Sequence, residues 1–482
     1  MTSKSEIETS SIPVNSEKIE YNELEKEIIH QVFNKKRNIY LSGPGGCGKS
    51  YLSVNVIKKY ANETKTNIAL TSTTGVSALS IGATTIHRWS GIKLGKEAFI
   101  VIVTNIRKNK ECFKRWCDTK ILIIDEVSML GLKTFELLDK VGRNIRENDS
   151  PFGGLTLVLS GDFLQLPPVQ DDFVFESELW DEMNIKYFRL KEPKRYPDIN
   201  HFNMLQRIRL GKQTQDDIKA LKKRCDSYID YIGSGSERKE EIKPTRIFSL
   251  KKDVEKHNLD ELAKLTGDPI GYNSIDKFAV KKGKKGENEK KDVLSPKEVL
   301  DYTEYLDTVI PRRLSFKAGA QVMLTYNLSV EIGLVNGSRG VIKSCEQDGI
   351  NVLFKNGITT KIAYNMWEFD DGKVKMIRYQ LPLMLAWAIS VHKCQGASLD
   401  YAILDLGSSI FSPGMSYVSL SRVRTLSGIY LSSFVPQKLY ANEKALDFEE
   451  TMEALESVDE ENNKNVDVEI IIEEESGSDE ER

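Results

Sequence analysis

The 482 residues are 40% hydrophobic and 29% charged, enough for about three domains with ample core. No apolar run approaches the roughly 20 residues of a membrane-spanning helix, which speaks against a membrane protein. The net charge of −3 averages two unlike parts: residues 449–482 hold 15 acidic and 2 basic side chains, a net of −13, which leaves +10 on the rest. A basic body with an acidic tail is the pattern of a nucleic-acid-binding enzyme, although an acidic run is also what any solvated tail shows.

The first twenty residues, "MTSKSEIETSSIPVNSEKIE", are polar, lack the apolar core of a signal peptide and read as a disordered tail. An amphipathic helix follows, with Leu24, Ile28, Ile29 and Val32 on one face. From Asn38 to Leu190, β-branched or leucine-rich strands ("NIYLSG", "TNIALTS", "KILIIDE", "LTLVLSG", "KYFRL") alternate with helical stretches. Such alternation predicts a parallel sheet with crossover helices, whose ligands bind at the carboxyl ends of the strands. The first strand runs into Gly43, Pro44, Gly45, Gly46, Cys47, Gly48, Lys49 and Ser50, the pattern G-x-x-x-x-G-K-[ST], followed by Tyr51. Glycines let backbone N–H groups wrap a phosphate chain, Lys49 neutralises its outer oxygens, and the Ser50 hydroxyl suits a Mg²⁺ ion. The strand "KILIID" ends on Asp125 and Glu126. Beside a phosphate loop, Asp125 is suited to hold Mg²⁺ and Glu126 to activate the attacking water; the plainer alternative is acidic residues at a helix N-terminus. "LTLVLSGDFLQLPPV" ends on Ser160, Asp162 and Gln165. The Gln165 amide suits a γ-phosphate sensor, though a lone Gln after a strand is commonly structural.

A second parallel sheet is predicted from "PTRIFSL" (244–250), "YAILDLG" (401–407) and "GIYLSSF" (428–434). Between them, residues 314–383 carry short strands separated by "NGS", "QDG" and "KNG" turns, the signature of a small antiparallel barrel. The lysine-rich "VKKGKKGENEKKD" (280–292) reads as an exposed loop. Six scattered cysteines, Cys47, Cys112, Cys117, Cys225, Cys345 and Cys394, show no paired metal spacing and read as free thiols of a reducing compartment.

Taken in order, "GPGGCGKS", "TSTTGVSALSIGATTIHRWSGI", "IIDEVSMLG", "SPFGGLTLVLSGDFLQLPPV", "GLVNGSRGVI", "LPLMLAWAISVHKCQGASLD" and "YVSLSRVRTLSGIYL" resemble the motifs of the PIF (petite integration frequency) helicases. These are relatives of RecD in superfamily 1B. "LLDKVGRNIRENDSPFGG" (137–154) is similar to the segment that marks the family. The resemblance covers most of residues 21–434. It implies an α/β fold of two RecA-like parallel-sheet domains, 21–191 with a wedge insertion at about 92–116, and 192–313 plus 384–440. An SH3-like barrel at 314–383 interrupts the second, and an acidic disordered tail spans 441–482. The implied activity is an ATP- and Mg²⁺-dependent, 5′-to-3′ DNA helicase that tracks single-stranded DNA and opens tailed duplexes; the alternative is an ATP-switched DNA-binding or loader protein without strand separation. A monomer in the nucleus or cytoplasm, or at a viral replication site, is expected.

Roles carried over by the resemblance are specific. Arg422 resembles the arginine finger of the second domain and Arg195 a second one. Ser390, His392, Lys393 and Gln395 of "SVHKCQG" are implied to touch both the DNA backbone and the cleft, with Gly396 on the nucleotide side. Thr71, Ser72, Thr73, Thr74 and His87 are implied to contact DNA phosphates, which position a strand without reading it. Trp89 and Phe163 are candidates to stack on bases, with core packing as the alternative. Glu25 stands where family members carry an adenine-reading Gln, and a carboxylate accepts from the adenine amine without donating to N7. In the tail, Ile470, Ile471 and Ile472 before an acidic cluster resemble a SUMO-interacting motif, against the plainer reading of a solvated tail.

Overall fold

The computed structural model describes residues 21–93, 95–235, 242–280, 294–329, 331–370, 374–395 and 397–464. The N-terminal tail, most of the lysine-rich loop, Gly396 and the isoleucine triplet of the tail therefore lie outside the described residues.

The first sheet has six parallel strands: β1 (Ile39–Ser42), β2 (Ile68–Ser72), β3 (Thr84–Thr85), β4 (Ile121–Asp125), β5 (Thr156–Gly161) and β6 (Lys186–Arg189), in the order β3-β2-β4-β5-β1-β6. Every residue of β1, β4 and β5 is buried, because helices cover both faces of a parallel sheet. Alternate side chains serve opposite faces. Tyr40, Leu122, Ile124, Leu157 and Leu159 join Trp116, Phe135, Phe152 and Trp180 on one face. Ile39, Leu41, Ile121, Ile123 and Val158 face the other, in a core that runs through helix 199–209 to Ile247, Leu404 and Val418 of the second domain. Register then places Ser42 beside Gly161 and Arg189, and Asp125 beside Ser72. The polar strand ends thereby share one rim. The expected insertion forms helices 99–108 and 110–118, held by Ile102, Val103, Ile106, Cys112 and Trp116.

The second sheet is also parallel: β7 (Thr245–Phe248), β18 (Ala388–Ser390), β19 (Ala402–Leu406) and β20 (Ile429–Phe434), in the order β18-β7-β19-β20. The short strand β18 delivers the "HKCQ" turn to the rim.

Between β7 and β18 lies the antiparallel insert. Its five-stranded sheet runs β14 (Thr359–Ala363), β13 (Gly349–Phe354), β12 (Arg339–Glu346), β11 (Gln321–Leu324) and β17 (Leu383–Leu385). The insert begins earlier than residue 314. Strand β8 (Ile270–Asn273) pairs with β10 (Arg313–Phe316), and β9 (Ile275–Val280) pairs with β16 (Val374–Gln380), which also pairs with β15 (Asn365–Asp370). Leu306 of helix 296–309 is buried against Val374 and Met376. The described residues 270–280 and 294–313, expected with the second parallel sheet, thus belong structurally with the insert. The exposure of β9 alternates along its length, the mark of a half-solvated antiparallel strand rather than a doubly covered parallel one.

The C-terminus differs more. Residues 443–464 form a helix rather than a disordered tail. Ala445, Phe448, Glu449 and Met452 recur at the i, i+3, i+4, i+7 spacing of one helical face. Ala445 and Met452 are buried in the first domain, and Phe448 lies parallel to Phe175 with ring centroids 4.3 Å apart. High net charge concealed a narrow docking stripe. No helix among the described residues is long and apolar enough to cross a membrane.

Candidate nucleotide site

The turn after β1 requires glycine at three points. Gly43, Gly46 and Gly48 have φ of 140°, 89° and 100°, a region that side chains strongly disfavour. A Cβ on Gly43 would stand 2.4 Å from the Leu190 carbonyl oxygen. Gly45 and Gly46 permit close approach from outside the loop: a Cβ on Gly45 would lie 3.1 Å from Arg422 Nη2, and one on Gly46 2.7 Å from Arg195 Cβ. Lys49 Nζ donates to the Gly43 and Pro44 carbonyls at 2.6 and 3.0 Å. It is thus held inside the loop, where phosphate oxygens can replace those carbonyls. Cys47 is buried in the core, and Tyr51 stands exposed at the rim.

Asp125 Oδ2 accepts from Ser50 Oγ at 3.0 Å and Oδ1 from Ser160 Oγ at 2.8 Å. Burial pushes the Asp125 carboxyl above its usual range despite these bonds. Glu126 follows in the left-handed region at φ 55°, ψ 44°, a strained conformation for a non-glycine residue. Its Oε2 accepts from Gln395 Nε2 of the second domain at 2.9 Å. Burial, then the neighbouring Asp125 charge, raises the Glu126 carboxyl to about 7, with Lys49 and Arg422 pulling the other way.

Gln165 Nε2 donates to Asp162 Oδ2 at 3.2 Å. Burial works to raise Asp162, but the Arg209 guanidinium, 2.8 Å from Oδ1, wins and holds this carboxyl below its usual range. From the second domain, Arg422 is buried and donates to the Val418 carbonyl and Ser421 Oγ. The Gly45 N–H donates to Tyr417 Oη at 3.0 Å. Arg195 Nη1 and Tyr196 Oη both donate to the Ser421 carbonyl, at 3.4 and 2.7 Å. Lys49, Ser50, Glu126, Gln165, Arg195 and Arg422 all line one cavity of about 650 Å³.

Other sequence expectations are redirected. Thr71 and Ser72 are buried, their hydroxyls donating to the Ile123 and Asp125 carbonyls at 2.6 and 3.2 Å. They hold β2 to β4 rather than a nucleic-acid phosphate. Thr73 Oγ1 donates to the Glu126 carbonyl at 2.9 Å, and Thr74 caps helix 75–80; both are half-buried, as is His87, whose imidazole burial pushes down. Ser390 is buried, with Oγ accepting from the Lys393 N–H, while His392 and Lys393 are exposed. Trp89 is buried 4.6 Å from Trp116, and Phe163 sits among Tyr40, Phe175, Trp180 and Phe448, so both are core residues. Glu25 completes a capping box, with its carboxylate accepting from the Asn22 N–H at 3.0 Å. It does not line the cavity.

Sequence reasoning missed Tyr417, Arg209 and Glu449. A buried acid such as Asp162 at a strand end requires a cation, which was the available signal for Arg209.

A family model described as PIF1-like helicase matches residues 18–241, and one described as DNA helicase Pif1, 2B domain, matches residues 305–344. The chain belongs to the PIF1-like helicase family. The ATP-dependent DNA helicase PIF1 of Xenopus laevis is 36% identical over 438 residues, which cover 89% of this chain and 64% of the relative. The chain spans about 61 to 64% of the length of the PIF1 relatives from Xenopus laevis, Danio rerio and Mus musculus. A crystal structure of Bacteroides Pif1 in complex with ADP-AlF4 matches with a TM-score of 0.71 and 26% identity, covering 91% of this chain and 98% of that one. The same enzyme bound to single-stranded DNA matches with a TM-score of 0.59, 25% identity and the same coverage.

Proposed function

We propose that this chain is an ATP-dependent DNA helicase that moves 5′ to 3′ along single-stranded DNA. The observation that carries the reading is the two-sided cavity: Lys49, Glu126 and Gln165 come from the first domain, Arg422 from the second, and Gln395 bridges from the second domain to Glu126. A site split in this way completes itself only when the domains close, so hydrolysis and domain movement become one process. Glu126 takes the proton of the attacking water. Gln165 and Arg422 steady the charge on the transferred group, with Arg195 beside them. The Gln395 amide ties the exposed His392–Lys393 turn, a candidate contact for the DNA backbone, to the general base.

Mg²⁺ suits the site. Asp125 is a buried carboxylate bonded by the Ser50 and Ser160 hydroxyls, and among the described residues no three metal-ligating side chains gather, in keeping with a cation held chiefly by phosphates and water. Ser50 and Asp125 would hold it, and it would neutralise charge on the phosphates.

Strand displacement on duplexes with a 5′ or a 3′ single-stranded tail tests the reading. The 5′-tailed substrate is expected to open with ATP, and neither with Lys49→Ala. Opening from the 3′ tail overturns the polarity, and DNA-stimulated hydrolysis without any strand opening favours the loader alternative.

A further inference from the structure

The C-terminal helix brings an acid to the back of the nucleotide site. Glu449 Oε1 lies 3.0 Å from Arg209 Nη2 and 3.0 Å from Arg189 Nη2, and its side chain is 6% exposed. Arg209 is itself buried and reaches Asp162 with two nitrogens: Nη2 to Oδ1 at 2.8 Å and Nε to Oδ1 and Oδ2 at 3.1 and 3.2 Å. Asp162 Oδ2 is shared between that Nε and the Gln165 amide. A continuous buried path, Glu449–Arg209–Asp162–Gln165, thus runs from the C-terminal helix to the cavity wall. The Gln165 backbone is closely packed: a Cβ on Gly414 would stand 2.2 Å from its carbonyl oxygen.

The geometry points to Glu449 as a positioning residue for ATP hydrolysis, acting on Gln165 through Arg209 and Asp162. The inference rests on the proposed function, in which Gln165 faces the transferred phosphate. A buried guanidinium divides its donors between carboxylates according to where they stand. With Glu449 present, Nη2 is shared between Glu449 and Asp162 Oδ1, which fixes the fork so that Nε alone reaches the Oδ2 that Gln165 also uses. Without it, Nη2 serves Asp162 alone, and the fork is free to turn onto Oδ2 and compete with the Gln165 amide there. The helix is anchored for this purpose by Phe448 on Phe175 and by Arg189–Glu453 and Lys191–Glu456 pairs. It follows the second domain in the chain yet packs on the first, so it also ties the two across the cleft.

The test is a double-mutant cycle in the full chain, read as kcat and KM for ATP at saturating single-stranded DNA. Glu449→Gln is expected to lower kcat about ten-fold and shift KM less than about two-fold, because a small displacement of a positioned group acts on the transition state. Glu449→Asp keeps the charge with a shorter reach and is expected to lose about three-fold. Glu450→Gln, one residue away and exposed, is expected to match the parent. In a Gln165→Ala background Glu449→Gln is expected to cost nothing further, since both changes act on one unit. Unchanged kcat in Glu449→Gln, or the same fold loss with and without Gln165, overturns the inference. Should Glu449→Gln not fold, Glu449→Asp carries the same cycle, and the same two results overturn it. A parent chain that hydrolyses no ATP overturns the proposed function itself, and this inference with it.

Discussion

Glu126 combines three features at one residue: a left-handed backbone, a buried carboxyl and a bond from the opposite domain. Its carboxyl is raised to about 7, burial first and Asp125 second. In its proposed role as general base, which works best near the operating pH, Glu126 would gain catalytic fitness from this burial at the expense of stability. Between its ordinary value and about 7 the folded state holds a proton that the unfolded state has released, so this group lowers stability as pH rises through that window. Glu126→Gln is therefore expected to raise the melting temperature by a few degrees at pH 8 and by much less at pH 4, while abolishing turnover with Mg²⁺-ATP still bound. A calorimetric scan at the two pH values checks the first part. A lower melting temperature at pH 8 would remove the burial argument.

At the scale of elements, the C-terminal helix has the largest consequence. Met452 is fully buried and Phe448 closes an aromatic cluster with Phe163, Phe175 and Trp180. Met452→Ala is expected to cost about 2–5 kcal/mol of stability, the range for truncating a buried methionine to alanine, measured by denaturant unfolding. Any truncation aimed at the acidic tail must therefore end after residue 464. Residues 465–482 carry 8 acidic residues and one basic one, enough to compete with DNA for a basic groove at low ionic strength. Removing only those residues is expected to tighten single-strand binding at low salt, with the difference shrinking as salt rises, and to leave kcat at saturating DNA unchanged. Equal affinity at low salt would exclude self-competition.

Across the whole molecule, one apolar core joins both parallel sheets through helix 199–209, and the nucleotide cavity opens at its edge. Arg422 contributes to that cavity only from the second domain. Its removal is expected to leave nucleotide binding nearly intact and to lower DNA-stimulated kcat by about 10³-fold or more, the usual worth of an arginine finger. Comparing equilibrium binding of a fluorescent ATP analogue with single-turnover hydrolysis separates the two. An Arg422→Ala chain that hydrolyses normally would place the charge-stabilising role elsewhere, with Arg195 the next candidate.

Most of the residues that line the candidate nucleotide site were legible along the chain because its parts are local. A phosphate loop needs glycines at fixed spacing, and parallel strands announce themselves as short apolar runs ending in polar residues, so Gly43–Ser50, Asp125, Glu126 and Gln165 could be read in order. Arg422 and Arg195 came from motif order, and tertiary contact brought them to the loop. What only the folded chain decided is where hydroxyls and charges find partners. Thr71 and Ser72 bond to β4 carbonyls because β2 lies inside the sheet. Residues 275–280 pair with β16, about a hundred positions away, a register that no local pattern encodes. The acid-rich stretch beginning at 443 becomes a docked helix because Arg189 and Arg209, far away in sequence, neutralise Glu449 where it is buried. Net charge sums over a segment, whereas burial depends on a single face meeting its complement.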